Sequence, residues 1–340
     1  MIQRLYTIPR RQDRRAAESV QRSAFMPVLI LAFFSLLLLY PLGNISAFAA
    51  PQVKLEAPAT VARGDAFVAL AVSEEPVTAF NFKWMGKSYA ATAVAAAQAP
   101  GGPQKWQAVM LLPVPLDAKE NEFTLSVTPI AGHVGSKKPA ADQQAATLGI
   151  GVYDKERPVQ KLTVDKKYVD PPAAQMERIK ADRELVRKTL AAYLPERLWT
   201  LPFDRPVPGD VSSLFGLKRV FNGQPRGLHR GLDLRGTEGT PIVACADGRV
   251  ALTGDLYFSG NVVYINHGEG VFTAYLHMSK ILVAKDQMVR KGEVIGLVGA
   301  TGRVTGPHLH LSLLVQGVSV DPQPLLQAPR ANGGVAPRAE

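Results

Sequence analysis

Five of the six histidines of this 340-residue chain fall between His229 and His310, in a stretch otherwise rich in glycine and β-branched residues. The run Gly227-Leu228-His229-Arg230-Gly231-Leu232-Asp233 sets a histidine and an aspartate four positions apart on what reads as a strand. Alternate strand positions share a face, but fully extended the two α-carbons would stand about 13 Å apart. Sharing one ion therefore requires the chain to bend, and Gly231 permits it. Farther on, Gly306-Pro307-His308-Leu309-His310 places two imidazoles on one face, with α-carbons roughly 7 Å apart, and turns Leu309 toward a core. Ala274-Tyr275-Leu276-His277-Met278 supplies one more histidine. Two imidazoles and a carboxylate are a catalytic zinc set, because three protein ligands leave the fourth tetrahedral position to water. Each short pattern alone is common by chance; their concentration in one segment predicts metal chemistry.

These residues stand within a longer series. Phe215-Gly216, His229-x-x-x-Asp233, Gly239-Thr240-Pro241-Ile242-Val243-Ala244, Asp247-Gly248-Arg249-Val250, Tyr275-Leu276-His277-Met278, Lys291-Gly292, Gly302 and Gly306-Pro307-His308-Leu309-His310 follow in order. In that order and spacing, covering about residues 203–326, the sequence resembles the lysostaphin-type zinc metallopeptidases. The resemblance implies that His229, Asp233 and His310 hold Zn2+ and that His277 and His308 are the catalytic histidines. It further implies a twisted, mainly antiparallel sheet crossed by a groove, and cleavage of peptide bonds in peptidoglycan. A D-alanyl cross-link is the expected bond, since no wall-targeting repeat of the kind attached to glycyl-glycine lytic enzymes is present. The family also contains catalytically silent envelope proteins that bind or activate another wall hydrolase. Silent members lose ligands, whereas all five positions stand here.

Other candidates read as structural. His267 lies among glycines in Asn266-His267-Gly268-Glu269-Gly270 and is expected in a hairpin turn, not at a metal. Cys245 sits in the apolar run after Pro241 and reads as a core filler. Asn222, before Gly223, suits a turn, and His133, between Gly132 and Gly135, a surface loop.

The elements that must position these groups are mainly strands, as 29 Gly, 26 Pro and 7% aromatic residues favour many short strands and turns over a helical bundle. The whole is expected to be mainly β. Residues 50–155 alternate in short runs separated by turn residues and predict a small antiparallel sandwich, with 90–102 as a loose hairpin loop. Residues 156–200 predict a charged, proline-punctuated connector and one amphipathic helix over 173–194, closed by Pro195 and with a solvated charged face. Residues 201–327 form the histidine-bearing β domain, and 328–340 a frayed tail.

The first 49 residues carry six arginines and two acidic residues, then an apolar run from Val28 to Tyr40 and the small-residue series at Ala47, Ala49 and Ala50. This order predicts a signal peptide cleaved after Ala49, or an uncleaved anchor, with the remainder exported to the periplasm or cell envelope. Membrane contact is expected only through that segment. One cysteine excludes an intramolecular disulfide framework. The formal charge of +10 is spread without a basic block or interleaved aromatic platform, so no nucleic-acid partner is expected. Peptidoglycan peptide is the expected substrate.

Overall fold

The computed structural model describes residues 53–97, 102–130 and 145–327. The leader, His133 and the tail from Ala328 lie outside the described residues. No helix among the described residues is long and apolar enough to cross a membrane.

Strict alternation builds the first half. In Ala79–Trp84 the side chains of Phe80, Phe82 and Trp84 are buried while Asn81 and Lys83 face away, so the strand has one apolar face that another sheet must cover. One sheet orders Val53–Glu56, Ala66–Ser73, Trp106–Pro113 and Val94–Ala95. The other orders Thr60–Ala62, Ala146–Tyr153, Glu122–Ile130, Ala79–Trp84 and Lys87–Thr92. Phe67, Met110, Leu112, Leu125, Val127 and Ile150 fill the space between them around Trp84. The Trp84 indole packs edge-on to Phe67 at 5.1 Å and donates to the Pro113 carbonyl at 2.8 Å. All pairings are antiparallel except that of Thr60–Ala62 with Ala146–Tyr153.

The first part of the alanine-rich stretch, to Ala95, is not the expected loose loop, and 98–101 lie outside the described residues. Lys87–Thr92 pairs with Ala79–Trp84, and after Ala93 the chain crosses to the other sheet, where Val94–Ala95 pairs with Trp106–Pro113. Backbone pairing is satisfied here without long side chains, and Ala91 is buried because it faces the core.

The connector also differs from expectation. Val159–Leu162 runs parallel to Lys218–Phe221, which pairs in turn with Gln224–Leu228. Asn222 and Gly223 have φ of +48° and +82°, the geometry a two-residue hairpin demands. Asn222 also bonds both backbone groups of Val164, at 2.9 Å each, fastening the connector to the hairpin. Phe221, Val164 and Val169 close over this join.

The helix is Met176–Leu190, preceded by a 3-10 turn at Ala173–Gln175. It buries Ile179, while Val186 and Leu190 pack on Leu252, Leu256, Val262, Tyr264 and Ala274 of the large sheet. Its polar face is not wholly solvated: Asp182 accepts from the Tyr257 backbone at 2.7 Å, and Arg178 pairs with Asp255 at 2.8 Å.

The second half is a ten-stranded, mainly antiparallel sheet. Its long path runs Val211–Ser213, Leu232–Arg235, His308–Val315, Val271–Ile281, Gly260–Asn266, Gly248–Leu256 and Met288–Val289. Leu234, Leu309, Leu311, Tyr275, Val263 and Ile265 are buried in its core. Against the sandwich, Arg197 pairs with the buried carboxylate of Glu269 at 2.7 Å and also reaches the Val109 carbonyl.

Candidate metal centre

Register brings the site together. Asp233 stands opposite His310 in one ladder, and Leu276 stands opposite His310 in the next. Directly opposed residues point to the same face, so the Asp233, His308 and His310 side chains share the face opposite Leu309. Strand geometry begins only at Leu232, not at His229. His229 lies just past Gln224–Leu228, its N–H held by the Leu217 carbonyl at 2.8 Å, and the chain bends through Arg230 and Gly231 before Asp233.

Three donor atoms converge. His229 Nε2 lies 3.0 Å from Asp233 Oδ1 and 3.0 Å from His310 Nδ1, and His310 Nδ1 lies 2.8 Å from Asp233 Oδ1. Donors bonded to one zinc at about 2.0 to 2.1 Å in a tetrahedron stand about 3.3 Å apart, so the set needs an expansion of only a few tenths of an ångström. All three residues are buried. Each ligand is aimed by what its other end touches. His229 Nδ1–H donates to the Leu214 carbonyl at 2.7 Å, leaving Nε2 as the donor to a cation. His310 Nε2 is 2.9 Å from Ser312 Oγ, which donates to the Arg230 carbonyl, so Nδ1 carries the free lone pair. Arg219 bonds Asp233 Oδ2 at 2.5 Å and leaves Oδ1 to the histidines. Burial alone would raise the Asp233 carboxyl, but its close contacts with the His229 and His310 rings hold it well below the usual range. Two imidazoles, one carboxylate and no sulfur, with three protein ligands, fit zinc in a site open to a fourth ligand.

His277 reaches the same face by a different route. Asn261 pairs with Met278 and Val263 with Tyr275, so Leu276 and His277 oppose the single residue Val262. This is a β-bulge, which re-aims side chains. With φ of +66°, His277 leaves the core-facing row of Tyr275 and sets its ring 5.1 Å from that of His308 and 6.0 Å from that of His310. His277 Nδ1–H donates to the Thr301 carbonyl at 2.8 Å, and His308 Nδ1–H to the Gly306 carbonyl at 2.8 Å. Nε2 is thus the ring nitrogen left free in both, and that of His308 lies 3.8 Å from Asp233 Oδ1. Burial, reinforced by the neighbouring His310 and His308, lowers His277 to about 3.

The remaining candidates stay apart from the centre. His267 is in the turn after Gly260–Asn266, but it is wholly buried rather than a surface turn residue, bridging the Asp247 carbonyl and Thr273 Oγ1 at 2.7 Å each. Cys245 is buried beside Tyr275, and burial pushes its thiol up to about 12. Spacing did not single out Arg219, Ser312, Thr301 or the Leu214 carbonyl. Only Ser312 carried a signal, as the next same-face position after His308 and His310.

Residues 227–322 match the model of peptidase family M23. The chain carries an M23 peptidase domain. Among curated relatives, the M23 segment is 50% identical over 112 residues to the peptidoglycan DD-endopeptidase ShyA of Vibrio cholerae, covering 33% of this chain and 26% of that one. It is 47% identical over 112 residues to the DD-carboxypeptidase/endopeptidase Mpg of Neisseria meningitidis, with the same shares of 33% and 26%. The chain thus spans about a quarter of the length of these relatives. A crystal structure of a candidate M23 peptidase from Pseudomonas aeruginosa is similar over more of the chain, at 28% identity and a TM-score of 0.51, covering 77% of this chain and 92% of that one. The M23 match begins two residues before His229 and ends after His310, so it encloses all five expected site residues.

Proposed function

We propose that this protein is a zinc endopeptidase that hydrolyses peptide cross-links of peptidoglycan, with D,D specificity, in cell-wall remodelling. The carrying observation is the convergence of His229 Nε2, Asp233 Oδ1 and His310 Nδ1 within 3.0 Å of one another, beside two imidazoles whose Nδ1–H groups are each held by a backbone carbonyl. The names of the Vibrio and Neisseria relatives support both the substrate and the bond.

His229, Asp233 and His310 would hold the cation. Zinc bound there supplies a Lewis acid and lowers the pKa of a coordinated water from near 16 to about 7. The chain's own residues handle the proton. An Nε2 lone pair of the His308 and His277 pair accepts it as water adds to the scissile carbonyl, and returns it to the amine as the C–N bond breaks. Because each Nδ1–H is committed to a backbone carbonyl, the rings cannot turn away and the accepting atom is fixed. Such positioned proton transfer contributes roughly 10² to 10⁴ in rate. The proton now on Nε2 also makes that atom a donor to the tetrahedral oxyanion.

Export of the chain by residues 1–49, with action in the periplasm or envelope, completes the proposal. Its test is mass spectrometry of fragments released from purified murein with and without a chelator. Chelator-sensitive release of muropeptides cut at D-alanyl cross-links is the expected result. A zinc-loaded protein that releases nothing would instead fit a silent binding role.

A further inference from the structure

A cleft of about 350 Å3 adjoins the metal centre, and its lining includes Asp233, His308, Arg219, Arg235 and Arg303. Asp233 is its only acidic lining residue, and that carboxylate is already engaged by His229, His310 and Arg219. Arg303 is held between aromatic faces, its guanidinium 4.7 Å from the Phe221 ring and 4.8 Å from the Phe258 ring. No carboxylate or carbonyl among the described residues accepts from its guanidinium. Arg219 Nε is likewise buried without a partner. Desolvation, with repulsion from Arg219 and Arg226, lowers Arg303 to about 10. A half-buried arginine packed between aromatic rings, flanked by like charges and without a counter-ion, favours the arrival of an anion.

We infer that Arg303, with Arg219 and Arg235 beside it, forms a carboxylate subsite that holds the free α-carboxylate of the substrate residue on the leaving side of the scissile bond. This rests on the peptidase reading and specifies its substrate: a peptide whose leaving amine is borne on a carbon that also carries a negative charge. In a D,D-linked peptide the carboxylate and the scissile nitrogen share one carbon. Arg219, Arg235 and Arg303 line the same cleft as His308, one of the two imidazoles assigned to protonate the amine. A fork of N–H donors matches a carboxylate in two parallel bonds, which a neutral amide cannot reproduce.

The test uses two pentapeptides ending in D-alanyl-D-alanine, one with a free terminal carboxylate and one with a carboxamide. Turnover is followed by mass spectrometry on the zinc-loaded full chain. Binding is followed by calorimetry on the His308→Ala variant, with and without Arg303→Gln. The carboxylate peptide is expected to bind roughly 10- to 100-fold more tightly than the carboxamide, as charge-assisted hydrogen bonds allow. Arg303→Gln should bring that ratio to within about twofold, and Arg303→Lys should keep part of it; zinc content and circular dichroism establish that each variant folds. Equal binding of the two peptides, or a preference that survives Arg303→Gln, overturns the subsite. An Arg303-dependent preference in a protein that also releases no fragments from murein would retain the subsite and remove the peptidase reading.

Discussion

Gly231 and His310 are packed so closely that a Cβ on Gly231 would lie 2.3 Å from His310 Nε2 and 2.7 Å from the Leu311 carbonyl oxygen. The glycine is required by space, because its neighbours are a metal-ligand ring and a strand backbone that carries it. Gly231→Ala must displace one of them. Since Nε2 is the atom that fixes the ring through Ser312, the expected outcome is a 10- to 100-fold loss of zinc affinity, the usual scale when a ligand's support is disturbed. Competition against a chromophoric chelator measures it, and an affinity within twofold of the parent would contradict this account.

Ligands and proton-handling histidines should separate in a mutation series. His229→Ala and Asp233→Ala each remove one of three donors and are expected to lose the metal together with activity. His308→Ala and His277→Ala remove no donor, so zinc should stay near one per chain while kcat falls by roughly 10² to 10⁴. Metal analysis and turnover on the same preparations decide the matter. Loss of zinc in His308→Ala in proportion to its loss of activity would move that residue into the ligand set.

Strand periodicity made the shared face of His308 and His310 legible, since His308, Leu309 and His310 alternate as written and Leu309 is wholly buried; the candidate ligand set came from the family resemblance, because the ladder that sets Asp233 opposite His310 joins residues far apart in number. His277 was legible only through the family resemblance. By alternation it belongs with Tyr275 in the core, and a bulge opposite Val262, formed between two consecutive strands, brings it beside His308 and His310. Arg219 was silent for a related reason: its pairing with Asp233 depends on a hairpin folding over the Leu232–Arg235 strand, and no local spacing encodes that. The connector strand Val159–Leu162 was missed because a parallel pairing with a strand some sixty residues away leaves only a short, half-polar run in the sequence.

Zinc should also stabilise the fold. Binding to the native state alone contributes RT ln(1 + [Zn]/Kd), about 4 kcal/mol at a free concentration a thousand times Kd. For a chain of this size that corresponds to a rise in Tm on the order of 10 °C. Thermal melts with added zinc and with excess chelator should differ by this much in the parent and by almost nothing in Asp233→Ala. A shift of equal size in that variant would place the stabilising metal elsewhere.

Acid should destabilise the protein through His267. Burial lowers this imidazole to about 4, opposed by its hydrogen bond to the Asp247 carbonyl, which takes Nδ1–H. In the unfolded chain it would take a proton near pH 6.5. Between pH 6.5 and about 4 the unfolded state therefore binds more protons than the folded state, and stability falls as pH falls through that window, by about 3 kcal/mol in all. His267→Gln cannot titrate and should lose that much less between pH 7.5 and 4. Urea unfolding of both proteins at the two pH values, in excess chelator so that the metal centre contributes equally, isolates the difference. Parallel losses in the two proteins would show that His267 is not the acid-sensitive group.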